Sequence, residues 1–538
     1  MNVLIRQVAD ELRLRPEQVE RTLALSADGA TVPFVARYRK EVTGGLDEVR
    51  IQAVLDGARR HRELAERRAA VVSSIEEQGR MTPELARALA AATTRTELED
   101  LYLPYRPKRR TRAGIARERG LEPLADLMWR QEPAGADPAA LARGFVDPAR
   151  DVADLAAALA GARDICAERV AEDAALRALA RGMAARHGVL RSDVVRGVAE
   201  RTKFEGYYAH REPLTSAPSH RVLALLRGEA ESVLKVRLDL PDGDITTTLT
   251  ARVVTRPRAP FAQELAAAVA DGWGRLLGPS LESELRSELK ARADREAIEV
   301  FAENLRHLLL APPAGARRVA ALDPGLRTGI KLAVLDATGR LLETATLYTE
   351  RGAGDRCRAA TLLLDLVVRH RPELIAVGNG TGSREAEAFL HAALREAAVT
   401  LPVVSVSEQG ASVYSASETA RAELPGLDVS LRGAVSIGRR LQDPLGELVK
   451  IDPKSIGVGQ YQHDVDQAGL RKRLGEVVDS CVNAVGVDLN TASAELLGHV
   501  SGVGPALARR VVTHRERHGA FPSRAALREV SGLGPKAF

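Results

Sequence analysis

The stretch that most limits how this chain can fold is residues 319–448. It opens with an apolar segment that ends on Asp323 and a Pro-Gly turn. This places the carboxylate at a strand end, a usual position for residues that contact ligands. Two more strands are predicted at residues 329–335 and 341–348, and the Asp-Ala-Thr-Gly sequence between them is typical of a hairpin. The stretch therefore begins as an antiparallel sheet.

Helical periodicity replaces strand alternation in the next part of this stretch. One face of the helix predicted at residues 357–370 carries Leu362, Leu363, Leu366 and Val367. A strand at 374–378, a helix at 383–398 and a strand at 402–406 follow. Three hairpin-linked strands followed by strand, helix, strand and helix is the element order of a ribonuclease-H-like fold.

The bulk composition limits the class of protein. A chain of 538 residues is too long for a single core and predicts about three to five domains. Its 45% hydrophobic and 28% charged residues are those of a globular protein. Aromatic residues make up only 3%, which argues against sites that stack many bases. Because the net charge is only +5, polyanion binding has to come from local patches.

The cysteines and the hydropathy pattern indicate a cellular compartment. Cys166, Cys357 and Cys481 are widely spaced and form no Cys-x-x-Cys pair. This argues against a disulfide framework or a zinc site and fits a reducing cytosol. Neither a signal-peptide pattern nor an apolar run of the ~18 residues needed to span a bilayer is found. We therefore predict a cytoplasmic protein without a membrane segment.

The most basic window of the chain covers residues 105–114. Its cationic residues are Arg106, Lys108, Arg109, Arg110 and Arg112. Prolines at positions 104 and 107 keep the window out of a helix until about Ala113, so we predict an exposed loop. Such a loop suits phosphate backbones without reading base sequence. The alternative is a solvated loop that pairs with acidic neighbours.

Residues 489–538 contain an internal repeat of helix, glycine-rich turn and helix. The first unit has a predicted helix at 489–497 with Asn490 as its cap, the turn Ser-Gly-Val-Gly-Pro, and a helix at 506–518. Residues 521–530 repeat the first helix, and Ser-Gly-Leu-Gly-Pro repeats the turn. The second unit stops at Phe538, four residues into its closing helix, so we expect either a fragment or an incomplete last motif.

The glycines of these turns carry the binding chemistry. They let the backbone approach a phosphate closely, and the proline at the first helical position leaves nearby amides free at the positive end of a helix dipole. The predicted nucleic-acid contacts are Gly502, Gly504, Arg509, Arg510, Gly532, Gly534 and Lys536. A tandem pair at this spacing predicts nucleic-acid binding without sequence preference. The alternative is a pair of packing hairpins used for protein contact.

Four longer runs extend the comparison to nearly the whole chain. They are ATVPFVARYRKE at 30–41, residues 102–112, residues 321–329, and IDPKSIGVGQYQHDV at 451–465. With them the chain resembles the Tex family of bacterial transcription accessory proteins. The resemblance implies an N-terminal helical region with a helix-turn-helix, a ribonuclease-H-like domain of the YqgF type, and tandem helix-hairpin-helix motifs. In that family an OB-fold RNA-binding domain follows, so we expect a fragment that holds RNA less tightly.

The predicted fold class is multidomain and mainly α. A central α/β ribonuclease-H-like (YqgF) domain is followed by C-terminal helix-hairpin-helix repeats. The expected parts are an N-terminal helical region (1–190), a mixed, mainly helical region (191–314), the YqgF domain (315–450), a connecting helical segment (451–488), and the hairpin repeats with a truncated second motif (489–538). Short strands are predicted at 233–238 and 246–254.

Whether the central domain is a nuclease depends on its carboxylates. Such an enzyme needs three or four around two divalent ions about 3.5–4 Å apart. The candidates by position are Asp323, Glu408 and Asp443. Asn379 takes the fourth-strand place where resolvase relatives carry a glutamate, and an amide neutralises no charge. Asp323 also suits a plain Asp-Pro-Gly turn. Glu408 and Asp443 suit helix caps or the surface equally well.

The predicted function is therefore an accessory factor that binds RNA or DNA without sequence preference. It would act in transcription or in processes linked to RNA or translation. We expect a monomer without a cofactor, and RNA polymerase or the ribosome as candidate partners. One alternative is a nuclease of the ribonuclease-H-like superfamily that depends on Mg²⁺. Another is a scaffold for protein interactions.

Overall fold

The structure is a computed structural model that describes residues 3–107, 110–132, 137–197, 201–325, 327–349, 352–534 and 538. These residues fall into two compact units. One contains Met1–Pro16 and Val54–Asp294, and the other contains Glu17–Ala53 and Arg295–Phe538. The finer five-part division remains a prediction. Among the described residues, no helix combines the length and the apolar character that a membrane crossing requires.

Most of the described chain is helical, which confirms the predicted class. The helices up to residue 309 are α1 (Val3–Leu12), α2 (Pro16–Ala27), α3 (Val32–Tyr38), α4 (Lys40–Thr43), α5 (Glu48–Glu77), α6 (Pro83–Ala91), α7 (Arg95–Tyr102), α8 (Arg112–Glu118), α9 (Glu122–Arg130), α10 (Pro138–Arg143), α11 (Leu155–Glu172), α12 (Ala174–His187), α13 (Ser219–Ala230), α14 (Asp242–Val253), α15 (Ala262–Asp271) and α16 (Gly278–Leu309). The later helices are α17 (Ala353–His370), α18 (Ser383–Glu396), α19 (Ala411–Ala416), α20 (Glu418–Glu423), α21 (Val429–Gln442), α22 (Pro444–Leu448), α23 (Gln467–Val485), α24 (Ala494–Gly498) and α25 (Pro505–His518).

A three-stranded antiparallel sheet lies in the first unit. Its strands β1 (Val189–Val194), β2 (Ala209–Pro213) and β3 (Leu234–Asp239) are ordered β2-β1-β3. The strand predicted at 233–238 is confirmed as β3. The strand predicted at 246–254 is wrong, because this segment belongs to helix α14. Ile245 and Leu249, four residues apart, are both fully buried, and two aspartates in the first turn favour the helix N-terminus.

A five-stranded sheet forms the centre of the second unit. Its strands are β4 (Val319–Asp323), β5 (Ile330–Leu335), β6 (Leu341–Leu347), β7 (Leu374–Gly378) and β8 (Val403–Val406). They are ordered β6-β5-β4-β7-β8, with antiparallel pairing from β4 to β6 and parallel pairing from β4 through β7 to β8. This is the ribonuclease-H-like arrangement, and the prediction is confirmed.

Strand β4 shows why this sheet is buried on both faces. Its side chains alternate in direction, as the period of a strand requires. Ala320 and Leu322 pack in the core formed with α17 and α18, whereas Val319 and Ala321 pack in the core formed with α21. Asp323, the last residue of the strand, emerges at the edge of the α21 side.

Candidate functional site

The two glycine-rich turns of the C-terminal repeat have the same backbone conformation. Gly502 has φ +85° and Gly532 has φ +86°, values in the left-handed region that favours glycine. In the first turn the Val503 amide donates to the Val500 carbonyl at 2.9 Å. In the second turn the Leu533 amide donates to the Val530 carbonyl at 3.2 Å. The sequence repeat is therefore also a structural repeat.

The first turn leads directly into the N-terminus of the long helix α25. Gly504 is its N-cap residue and Pro505 its first helical residue, and no side chain caps this end. The turn is open, since nothing lies within 4 Å of the position that a Cβ on Gly504 would take. Pro505 has no N–H and the Leu507 amide donates to the Gly504 carbonyl at 2.9 Å, so the Ala506 amide is the donor of this first turn that lacks an intrahelical acceptor, and the helix dipole adds positive potential. This end of α25 can therefore accept a phosphate.

Two arginines one turn further along α25 add charge to this site. Both Arg509 and Arg510 are exposed. The guanidinium of Arg510 lies against the second turn, where a Cβ on Gly532 would fall 2.7 Å from it. Arg510 thus links helix α25, which follows the first turn, to the second turn, and a Cβ on Gly534 would face open space. Lys536, predicted as a further contact, lies outside the described residues.

The helices that precede the turns differ from the prediction. Helix α24 begins at Ala494 and is capped by Ser493, whose hydroxyl accepts from the Leu496 amide at 3.1 Å. Asn490, predicted as the cap, instead exchanges two hydrogen bonds with the backbone of Phe521, at 3.1 and 2.8 Å. Asn490 therefore ties the start of the first motif to the start of the second. In the second motif the helix is a short 3₁₀ segment, Arg524–Glu529.

The basic window at 105–114 lies in the first unit, where a 3₁₀ turn ends at Tyr105 and helix α8 begins at Arg112. Arg106 lines a surface depression with Arg67, Arg95, Glu99 and Tyr102. Glu99 accepts two hydrogen bonds from Arg67, at 2.7 and 3.0 Å, and the charges of Arg95 and Arg106 also act on this carboxylate. The depression therefore has an excess of positive charge.

The remaining residues of the basic window are partly compensated. Arg110 is exposed and pairs with Glu118 at 3.3 Å, a contact of little strength at the surface. Arg112 is exposed at the start of helix α8. Lys108 and Arg109 lie outside the described residues. Arg110 thus has an acidic partner while Arg112 is exposed, and the phosphate contacts of this window remain predictions.

The central sheet brings two of the three predicted carboxylates together. Asp323 ends β4, and Glu408 follows β8, whose end lies beside β7. The Glu408 carboxylate lies over Gly380 and Gly378 so closely that neither position has room for a Cβ. Burial and the nearby charge of Glu408 raise the pKa of Asp323 to about 6. The two carboxylates repel each other, because little water reaches this edge of the sheet to screen their charges.

Asp443 and Asn379 have other roles in the structure. The carboxylate of Asp443 caps helix α22 by accepting from the Gly446 amide at 2.9 Å. Gly433 is the α21 residue that contacts Asp323. Asp443 comes ten residues later, which is about 15 Å further along the helix. The amide oxygen of Asn379 accepts from the backbone of Glu408 at 3.3 Å. Within the described ranges, no three His, Cys, Asp or Glu side chains are arranged to hold a metal ion. This donor set does not fit a two-ion site, and the catalytic assignments remain predictions.

Arg440, which sequence analysis did not single out, lies beside the carboxylate pair. It is 3% exposed and donates from one terminal nitrogen to the carbonyls of Ser407 and Gln409, both at 2.7 Å. These two residues flank Glu408. Burial lowers the pKa of Arg440 to about 10, opposed by the charges of Glu447, Asp323 and Glu408. The guanidinium thus supplies a fixed positive charge beside the carboxylates.

Replacing Asp323 with asparagine should stabilise the protein at pH 8 and have little effect at pH 4. A carboxyl whose folded pKa is raised from 3.8 to about 6 lowers stability as pH rises through that window, because the folded state binds the extra proton. The full cost, about 3 kcal/mol, applies above pH 6. Thermal unfolding of both proteins from pH 4 to 8 measures the difference. A difference independent of pH would contradict the assignment of this pKa.

Comparison with known families shows what the chain is similar to. Four family models match successive regions: Tex-like protein N-terminal domain at residues 2–76, Tex central region-like at 134–301, Tex protein YqgF-like domain at 317–442, and helix-hairpin-helix motif at 482–538. They follow the same order as the predicted regions.

Several bacterial proteins are similar over nearly the whole chain. Protein YhgF of Escherichia coli is 51% identical over 547 residues, which cover 99% of this chain and 70% of the relative. Protein tex of Bordetella pertussis is 50% identical, covering 99% and 69%. Transcriptional accessory protein Tex of Neisseria gonorrhoeae is 47% identical, covering 100% and 71%.

Proposed function

The chain belongs to the Tex family, and from this premise we propose that it is an accessory factor that binds nucleic acid through its hairpin turns without reading base sequence. The observation that carries the proposal is the pair of matching glycine turns, the first of which opens onto the uncapped N-terminus of α25. Backbone amides and a helix dipole contact phosphates, which are the same in every sequence.

The basic window adds a second cationic surface to the proposal. The depression beside Arg106 carries three arginines against one glutamate, so it attracts phosphate groups by charge rather than by shape. The process we propose is transcription, after the name of the relative from Neisseria gonorrhoeae. RNA polymerase and the ribosome are the proposed partners of a cytoplasmic monomer.

The central domain has a supporting role in this proposal. Arg440 places its guanidinium beside Asp323 and Glu408, and it also holds the loop at 407–409 through two carbonyls. Removing this arginine would leave the two carbonyls of the loop and the neighbouring buried carboxylates without their cationic partner, which is destabilising. We assign this edge of the sheet a structural role, which is to stabilise the unit that also contains the hairpins.

Binding that depends steeply on salt is the expected result for the wild-type chain. Each phosphate contact releases counterions, so two or more contacts should give a slope of log affinity against log salt of at least about −2. Binding should therefore weaken roughly tenfold or more between 50 and 200 mM salt. Fluorescence anisotropy with labelled RNA, single-stranded DNA and duplex DNA measures this. Affinity that is flat across this range would contradict the proposal.

A pair of glycine variants distinguishes loss of the phosphate contact at the first turn from the effect of backbone strain alone. Gly502→Ala places a Cβ on a left-handed residue in the first turn and should weaken binding about tenfold. Gly426→Ala does the same at φ +80° in a loop of the same unit, with nothing within 4 Å of the new Cβ. Because the backbone strain is similar, about 1–2 kcal/mol, only the first variant should lose affinity. Equal losses would assign the effect to folding.

A further inference from the structure

Four exposed or half-exposed side chains form a patch on α3 and the start of α4, here called the α3 patch: Phe34, Tyr38, Arg39 and Lys40. Tyr38 is 57% exposed although its ring is large and apolar. The Phe34 ring lies 5.5 Å from the Tyr38 ring, and the Arg39 guanidinium lies over Phe34 at 5.1 Å. The patch therefore presents an aromatic ring next to cationic side chains.

The position of this patch is fixed by the buried Val35 and Ala36 and by the hydrogen bonds of Arg37. The Arg37 guanidinium donates to the Glu48 carboxylate at 3.1 Å and to the Ser480 carbonyl at 3.3 Å. The Ser480 hydroxyl donates to the same carboxylate at 2.6 Å. These bonds hold α3 against α23. Tyr38, the next residue along the helix, consequently points to solvent.

The same helix α23 also holds the first glycine turn. Asn483 accepts from the Ser501 amide at 3.1 Å and donates to the His499 carbonyl at 2.9 Å. Ser501 immediately precedes Gly502, and its hydroxyl lies 2.6 Å from the hydroxyl of Thr31, the N-cap residue of α3. The turn and the first residue of α3 are therefore in direct contact.

The distance from the turn to Tyr38 suits a nucleic-acid strand. Seven residues of helix separate Thr31 from Tyr38, which is about 10 Å. Nucleotides stacked as in one strand of a duplex rise about 3.4 Å each, so this length corresponds to roughly three stacked nucleotides, and to fewer in an extended strand. A strand with a phosphate at the first turn can therefore place a nearby base on the Tyr38 ring.

The chemistry of the patch selects an unpaired base. Exposed rings flanked by cations bind single strands, because an unpaired base has a free face for stacking, while paired bases inside a duplex do not. In the sequence Arg39 and Lys40 are followed by the exposed carboxylate of Glu41, so the run 39–41 carries a net positive charge. We propose that the α3 patch stacks one base of a single strand whose phosphates lie on the first glycine turn, so that the chain prefers single-stranded RNA or DNA to duplex. The proposal rests on the proposed function of the turns and names its substrate class.

Substitution of Tyr38 in the complete chain tests this proposal. The probes are a labelled 20-nucleotide oligothymidine, an oligouridine of the same length and a 20-base-pair duplex. Tyr38→Ala should weaken binding of both single strands about tenfold and leave duplex binding within about twofold. Tyr38→Phe keeps the ring and should retain wild-type affinity. Tyr348→Ala, which removes another partly exposed tyrosine of the same unit, should change neither.

The outcomes separate this proposal from the one on which it rests. If Tyr38→Ala lowers single-strand and duplex affinity equally, or changes neither, the stacking role is overturned and the turns retain theirs. Loss of single-strand affinity in Tyr348→Ala as well would also overturn it, because the effect would then not belong to the α3 patch. If the wild-type chain binds none of the probes, the proposed function itself fails.

Discussion

Replacing Arg440 with methionine is expected to destabilise the central domain by about 3–5 kcal/mol, the usual cost of removing one member of a buried charged group. The side chain is 3% exposed, and its bonds to the Ser407 and Gln409 carbonyls would be lost. The carboxylates of Asp323 and Glu408 would then lose a buried positive charge that acts on both of them. Chemical denaturation, with hydrogen exchange of the β4 and β7 amides to identify the domain, measures the change.

The same helix α21 provides a matched control. Arg432 also donates to two backbone carbonyls, of Leu427 and Ser415, at 3.1 and 3.2 Å. Arg432→Met removes a similar side chain and the same number of carbonyl bonds, so about 1–2 kcal/mol is expected. Adding Glu408→Gln to Arg440→Met should recover part of the loss, since one unpaired charge is removed. Equal destabilisation by the two methionine variants would contradict the charge-compensating role of Arg440.

Reversing the charge of Arg509 and Arg510 together should weaken nucleic-acid binding about 100-fold at low salt. Each arginine is exposed close to the turn, and a phosphate contact from a charged donor contributes about 1.5–3 kcal/mol. The double variant should also make the salt slope shallower by about two, because two phosphate contacts are lost. Anisotropy titrations with single-stranded and duplex probes across a salt series measure both effects.

The control for this prediction reverses two exposed arginines elsewhere in the same unit. Arg471→Glu with Arg517→Glu changes the net charge by the same amount. Arg471 lies in α23 and Arg517 in the last turn of α25, at the opposite end of that helix from the first glycine turn. This pair should weaken binding far less. Arg509→Glu alone is also required, because Arg510 contacts Gly532 and its loss can disturb the second turn. Equal losses in both double variants would assign the effect to net charge alone.

The strands of the central sheet could be predicted because their pattern follows from burial. Both faces of β4 are covered, so Val319 to Leu322 is an unbroken apolar run, and the hairpin that follows is signalled by its turn residues. The glycine turns were predictable for a similar reason. Gly502 and Gly532 need a left-handed backbone that other residues rarely adopt, and this requirement is visible in the sequence.

The errors arise where local preference gives way to tertiary contacts. Three consecutive threonines at 246–248 favour a strand, yet the burial of Ile245 and Leu249 makes this segment a helix. Asn490 suits a helix cap by type, but its partner is Phe521, which no local pattern reveals. The short strands β1 and β2 were not predicted, because each pairs with a strand that is separated from it in the sequence and no local pattern reveals that pairing.

The site around Arg440 could not be predicted for a related reason. An arginine in an amphipathic helix normally faces solvent, and only the position of α21 against the sheet shows that this one is buried. The same contact separates Asp443 from Asp323, because the helix extends past the carboxylate pair before Asp443 is reached. The positions of Asp323 and Glu408 at strand ends were enough to predict that they are neighbours. They did not reveal how far along α21 Asp443 lies.

The division of the chain also affects the order of its synthesis and folding. Glu17–Ala53 packs with Arg295–Phe538, and about 240 residues lie between these two segments. At about 5–20 residues per second, a ribosome needs roughly 12–50 s to cross that interval. During this time Arg37 can already pair with Glu48, but the Ser480 carbonyl does not yet exist. The nascent segment is therefore complete well before its packing partners are, and the contacts that bury its apolar residues form only after Arg295–Phe538 has been synthesised.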